Sequence, residues 1–405
     1  MLKRRLPLWL GIILILAGFA LLVLNWPRAP KPTRQFPEPL IPTARPPVKT
    51  VTSTLTLTLT PFPSSEQPLS PTPTLTLAPN SNPTPSPFTG VEKISILWEG
   101  KPRWGVGVAI GPISRYNIKP LRLGWYLDWG ARPDPPRPEG VEYVQMVRLR
   151  GGKLIPGPEE ISQIAQSNPG SLWLIGNEPD VKWQDNVSPA LYAKLYHQAY
   201  KAIKSADPTA KVAIGGVSQP TPLRLKYLEL ILQAYREQFG EELPVDVWNI
   251  HNFILREERG SWGVDIPPGI KEDRGELYEV DDSGNIEAFR RHIVNFRRWM
   301  AEHSFQNYPL IVSEYGIPMP EDYGFPPERV IAFLRDTFEF FLTATDPFLG
   351  YPADDYRLVQ RWCWYSLDDV TYPTGRLFDP QTGAMTAVGA GWADMVVAQL
   401  TGGER

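Results

Sequence analysis

Eight short runs of apolar, β-branched and aromatic residues recur between residues 104 and 367, and they constrain the fold of this 405-residue chain more than any other feature. They read WGVGVAI (104–110), RLGWYLDW (122–129), EYVQMVRL (142–149), SLWLIGNEP (171–179), KVAIGGVS (211–218), VDVWNIHNF (245–253), PLIVSEYG (309–316) and VQRWCWYSL (359–367). Their hydrophobicity is near-continuous rather than alternating, which marks strands buried on both faces of a parallel sheet. Helical segments lie between the later runs. SPALYAKLYHQAYKAIKSA opens with Ser188 at an N-cap position and Pro189 at the first helical position, and Leu191, Leu195, Ala199, Ala202 and Ile203 share a face. LRLKYLELILQAYREQFG stops at Gly240, and IEAFRRHIVNFRRWMAEH and PERVIAFLRDTFEFFLTA repeat the pattern. The first two connections are short and proline-rich, so stunted or missing helices are expected there. Eight strands alternating with helices predict a (β/α)8 TIM barrel over residues 91–405. The strand count and the lack of a Gly-rich phosphate loop disfavour an open doubly wound sheet.

The first 90 residues are of another kind. MLKRR precedes Leu6–Leu24, an uncharged apolar stretch long enough to cross a bilayer as one helix. It is longer than the core of a signal peptide, and NWPRAP offers no small-residue cleavage site. Residues 1–25 are therefore expected to be a basic stub and an uncleaved signal anchor at the cell membrane. The N-terminus would lie inside and the rest of the chain outside. Residues 26–90 read as a disordered Pro/Thr-rich linker; 17 Pro and 13 Thr fall within 27–90, and flanking prolines argue against strands in the Thr-Leu tracts.

Charge separates the two regions. Residues 1–90 carry eight cations and two anions (+6), so the total of −3 leaves −9 for residues 91–405. Such an acidic domain is a poor candidate for nucleic acid. The single cysteine, Cys363, excludes an intrachain disulfide, and the four histidines show no metal-ligand spacing. No metal or organic cofactor is expected, and the chain is expected to be a monomer.

Active sites of such barrels lie at the C-terminal ends of the strands. Two ends carry a glutamate in an apolar context: Glu178 in LIGNEPD on the fourth strand and Glu314 in LIVSEYG on the seventh. An unpartnered buried carboxylate is expensive, so both positions need a chemical reason. Glycoside hydrolysis supplies one, with one carboxyl group protonating the leaving oxygen and the other attacking, or activating water, at the anomeric carbon.

With these motifs the sequence resembles the clan A glycoside hydrolases, retaining (β/α)8 enzymes. The resemblance covers roughly residues 100–395 in strand order and is specific at a few motifs only. It implies that Glu178 is the acid/base, that Glu314 is the nucleophile, and that Asn177 binds the hydroxyl beside the anomeric carbon. NEPDVKWQDNVSP (177–189) also resembles the Asn-Glu-Pro-Asp segment of family 128 endo-β-1,3-glucanases, without naming a substrate. On the sixth strand the clan often shows His-x-Tyr, the tyrosine touching the nucleophile. His251 fits, but Phe253 stands in the tyrosine's place, so either Tyr315 substitutes or the nucleophile is tuned otherwise. On the eighth strand the clan commonly places a tryptophan floor for the sugar. Trp362 and Trp364 share a face of WCWYS, and Trp364, nearer the strand end, is the expected platform.

Trp183, Trp262 and Trp129 lie in predicted loops after the fourth, sixth and second strands, where they suit either sugar stacking or core packing. Arg148 and Asp128 either reach the site or form an ordinary ion pair. REERG (256–260) and KEDRGE (271–276) read as solvated loop charges. The expected function is a membrane-anchored, extracytoplasmic retaining hydrolase of a β-linked polysaccharide or oligosaccharide. The alternative is a non-catalytic carbohydrate-binding or adhesion protein on the same scaffold, which would have no use for two crowded carboxylates.

Overall fold

The computed structural model describes Trp98 and residues 100–402. The expected anchor (1–25) and linker (26–90) lie outside those residues. No helix among the described residues is long and apolar enough to cross a membrane.

All eight expected runs contribute strands: β1 Trp104–Gly107, β2 Trp125–Leu127, β3 in two pieces (Glu142–Tyr143 and Gln145–Val147), β4 Leu172–Asn177, β5 Lys211–Gly216, β6 Trp248–His251, β7 Leu310–Tyr315 and β8 Arg361–Trp364. Every ladder between them is parallel. One sheet runs β3-β2-β1-β8-β7-β6 and the other β3-β4-β5. The two pieces of β3 join the sheets on one side. On the other, a parallel bridge between Ala213 and Val247 joins β5 to β6, with the N–H of Asp246 donating to the carbonyl of Val212 at 2.9 Å. The ring closes as an eight-stranded parallel barrel.

Side chains alternate along each strand. Trp125, Leu127, Val144, Met146, Leu172, Leu174, Ala213, Val247, Ile311 and Cys363 pack together inside the barrel. Their sequence neighbours Tyr126, Val147, Trp173, Ile175, Val212, Trp248, Ile250, Val312, Trp362 and Trp364 face the surrounding helices. Burial on both sides is what makes the strands apolar throughout.

Six helices follow β3 to β8: α1 Pro158–Ser167, α2 Pro189–Ala206, α3 Pro222–Phe239, α4 Ile286–Glu302, α5 Pro327–Thr343 and α6 Ala387–Gly402. The connections after β1 and β2 hold only short 3-10 turns, as their prolines and brevity led one to expect. Gly240 ends α3 in the left-handed conformation, φ 69°. Ser188 stands at the N-cap position of α2 but its side chain makes no capping hydrogen bond. Leu191, assigned to the buried face of α2, is 36% exposed; Tyr192, Ala193 and Tyr196 are buried instead.

Candidate active site

Alternation carries the inward row of each strand up to the barrel mouth. Beyond Trp125 and Leu127 comes Trp129; beyond Val247 and Asn249 come His251 and Phe253; beyond Leu172 and Leu174 comes Glu178; beyond Cys363 comes Tyr365. Strand β7 breaks the rule. Strict alternation from Ile311 would send Tyr315 inward and Glu314 out to the helices. The register of β7 shifts against both neighbours in this region, and Glu314 pairs with His251 across β6 and β7. A local irregularity of this kind re-aims a side chain, and here it turns the carboxylate into the mouth.

Glu178 and Glu314 face each other there, 6% and 5% exposed. His251 lies between them, fully buried. Its Nδ1 shares a hydrogen bond with Oε1 of Glu178 at 3.0 Å, and its Nε2 stands 3.4 Å from Oε1 of Glu314. One oxygen of each glutamate and one ring nitrogen all fall within 4.8 Å of one another. The indole N–H of Trp129 donates to Oε1 of Glu314 at 2.6 Å. Gly216 makes this arrangement possible, because a Cβ there would come within 2.4 Å of the imidazole. Gly107 likewise leaves room for the Trp129 ring, which a Cβ would meet at 2.8 Å.

Glu178 adopts φ 42°, the left-handed region that side-chain-bearing residues avoid. Its N–H donates to the carbonyl of Gly216 at 3.0 Å, holding the strand end in place. Asn177 is buried; its amide Nδ2 donates to Gln184 at 3.4 Å, and its Oδ1 has no partner among the described residues. Arg148 donates to Asp185 (2.8 Å) and Gln184 (3.1 Å), and Asp185 also accepts from the N–H groups of Asn177 and Leu149. Arg148 therefore braces the turn after β4. Asp128 accepts from Arg132 and from Tyr143 and belongs to a separate ion pair.

Electrostatics follow from crowding and burial. Desolvation and the neighbouring Glu178 push the Glu314 carboxyl up to about 7, against the opposing pull of His251, Trp129 and Arg148. Burial works against a charge on His251, but Glu314 and Glu178 outweigh it and raise its pKa. The site favours an imidazolium beside the two glutamates.

A cavity of about 80 Å³ opens beside the pair, lined by Glu178, Gln184, Phe253, Leu255, Val264, Glu314, Tyr365 and Tyr372. Tyr365 packs edge-on against Trp129 and Phe253, and its hydroxyl donates to Asp369.

The aromatic expectations on β7 and β8 need correction. Trp364 is fully buried outside the barrel, donating to the carbonyl of Gly375 at 2.7 Å. The inner face at that level belongs to Tyr365, because Cys363 and Tyr365 alternate inward while Trp362 and Trp364 alternate outward. Tyr315 is also buried among Phe289, Phe341 and Trp364, away from the cleft. The donor to Glu314 is Trp129, which the sequence offered only as a loop aromatic. Trp183 is 45% exposed, with Lys182 Nζ 4.7 Å from its ring centroid, and Trp262 packs against the core. Trp183 does not line the cavity. REERG is not uniformly solvated either, since Glu257 is completely buried.

Residues 107–262 match a family model described as glycosyl hydrolase catalytic core, a stretch that runs from β1 into the loop after β6 and includes Glu178 and His251. No curated protein matches the sequence. Among solved structures, a GH128 (subgroup II) endo-β-1,3-glucanase from Pseudomonas viridiflava is similar at a TM-score of 0.50 and 16% identity, over 72% of this chain and 96% of that one. Its counterpart from Sorangium cellulosum gives 0.49 and 19%, over 73% and 98%. A GH128 (subgroup III) curdlan-specific exo-β-1,3-glucanase from Blastomyces gilchristii gives 0.48 and 18%, over 72% and 97%. At such identities the structural likeness concerns the fold. With the family match and the barrel both in hand, the protein is a glycoside hydrolase.

Proposed function

We propose that the protein cleaves β-glycosidic bonds of a polysaccharide or oligosaccharide with retention of configuration, Glu178 serving as acid/base and Glu314 as nucleophile. The observation that carries this reading is the proximity of the two carboxyl groups, with oxygens within 4.8 Å. Retaining enzymes hold the pair about 5–5.5 Å apart, whereas inverting enzymes leave about 6.5–9.5 Å for a water.

In the first step Glu314 attacks the anomeric carbon, the glycosidic C–O bond breaks, and the leaving oxygen takes a proton from Glu178. In the second, Glu178 removes a proton from water, the water oxygen bonds to the anomeric carbon, and Glu314 is released. His251 spans both carboxyl groups and stabilises whichever is charged at each stage. Trp129 supplies Glu314 with the hydrogen bond that a tyrosine at position 253 would give. Asn177, its Oδ1 unpaired, meets the hydroxyl beside the anomeric carbon, and Tyr365 with Phe253 forms the apolar floor. Residues 1–25 anchor the enzyme in the cell membrane with residues 91–405 outside, carried on the linker.

The test compares wild type with Glu178→Gln and Glu314→Ala on a panel headed by β-1,3-glucan. Glu178→Gln slows unactivated substrates by about 10²–10⁴-fold, the usual contribution of a general acid, and activated aryl glycosides far less. Glu314→Ala nearly abolishes turnover, and azide restores part of it with inverted product. Equal, small effects on both substrate types would remove the acid/base role from Glu178. Binding without cleavage by wild type would favour the adhesion reading.

A further inference from the structure

Arg224, at the start of α3, has no part in the chemistry just described, yet its guanidinium is fully buried, as are Asp180 and Glu257. Nε donates to Asp180 Oδ2 and Ser218 Oγ, both at 2.7 Å. One terminal nitrogen donates to Glu257 and the other to the carbonyls of Val264 and Asp265, each at 3.2 Å. Asp180 lies two residues beyond Glu178. Val264 lines the cleft, and Leu255 and Gly263 beside it belong to the same loop. Glu257 extends the junction, accepting from Thr221 Oγ1 at 2.5 Å and from the N–H of Glu276 at 2.8 Å.

A buried ion cluster is weak evidence for stability, since well-packed apolar residues do as well. What a guanidinium supplies beyond charge is a planar fork of donors at fixed angles. Here the fork meets three chain segments: the turn carrying Glu178, the end of β5, and the loop after β6. The Glu178 turn needs such support because its central residue holds a left-handed backbone. The loop needs it because nothing between Phe253 and Val280 is helix or strand. Both segments must be in place at once for a sugar to lie against the cleft wall with its glycosidic oxygen at Glu178.

We propose that Arg224 is a positioning residue that fixes the acid/base turn and the cleft wall relative to each other through Asp180 and Glu257. Its kinetic consequence rests on the hydrolase reading above; its structural consequence does not.

The experiment uses the full-length chain carrying Arg224→Lys, which keeps the charge and loses the fork. Hydrogen exchange is followed in residues 254–284 and, as a control, in β1 and β2. Hydrolysis is followed on an unactivated β-linked oligosaccharide and on an activated aryl glycoside. The expected result is faster exchange in 254–284 with unchanged exchange in β1 and β2. The variant should also lose about tenfold more kcat/KM on the unactivated substrate than on the activated one, as a displaced acid does. Wild-type exchange in the loop, or equal losses on both substrates, would overturn the proposal. If Arg224→Lys does not fold, Glu257→Gln keeps the shape and removes one charge. Faster exchange confined to 254–284 then supports the proposal, and unchanged exchange there refutes it. The exchange arm needs no substrate, so it succeeds or fails independently of the hydrolase reading.

Discussion

At the scale of single residues, Glu314 is governed by opposing neighbours. Burial and Glu178 favour its neutral form, while His251 and the Trp129 indole favour the carboxylate. Glu178 must give up a proton in the first step, whereas Glu314 must be charged to attack. Glu314 ionises as pH rises through about 7. We therefore expect kcat/KM to fall on the acidic side of about 7. Trp129→Phe removes a donor that stabilises the charged form, so it should move that limb to higher pH. A pH–rate profile of both proteins checks this. An acidic limb that stays put in Trp129→Phe would show that the indole does not tune Glu314.

At the scale of elements, the strands were legible because burial on both faces leaves a long apolar signature. The helices after β4 to β7 were legible from their 3.6-residue period and their stops, as at Gly240, whereas the helix after β3 was not read. The two glutamates that meet in the barrel mouth were legible as well, since a carboxylate ending an apolar run stands out. The aromatic neighbours were misread for a reason of geometry. Period-2 alternation from Cys363 would have selected Tyr365 over Trp364, but the inward row of β8 had no independent anchor in the sequence. On β7 even correct alternation fails, because an irregularity in register that leaves no residue signature decides between Glu314 and Tyr315. Glu257 was misread because a buried carboxylate in a charged run looks like its solvated neighbours until Arg224 is seen opposite.

The link between β6 and α4 carries a separate pH signal. His292 on α4 bonds Asn252 Oδ1 at 2.9 Å and the Tyr278 hydroxyl at 3.0 Å, and burial lowers its pKa from 6.5 to about 3. The unfolded chain binds this proton more readily than the folded one. The stabilising contribution is thus complete above pH 6.5 and is lost as pH falls toward about 3. By pH 5 the loss amounts to about 2 kcal/mol, at about 1.36 kcal/mol per pH unit. Melting temperatures between pH 7 and pH 4.5 should therefore decline, and less steeply in His292→Gln. Parallel declines in the two proteins would mean that His292 is not the acid-sensitive group.

At the scale of the whole molecule, a basic, apolar N-terminal stretch and a Pro/Thr-rich stretch precede an acidic barrel in the sequence, with net charges of +6 for residues 1–90 and −9 for residues 91–405. The proposal that residues 1–25 hold the hydrolase at a membrane would be contradicted by extraction of the full-length chain with alkaline carbonate alone. In the barrel mouth we propose that the two carboxyl groups, which bring one oxygen of each within 4.8 Å, act by double displacement. The most direct test is proton NMR of the anomeric signals during the first minutes of hydrolysis of a β-linked oligosaccharide, before mutarotation mixes the products. With retention, the β-anomer of the new reducing end appears first and the α-anomer only later. An α-anomer appearing first would mean that water attacks directly, and Glu314 could not be the nucleophile.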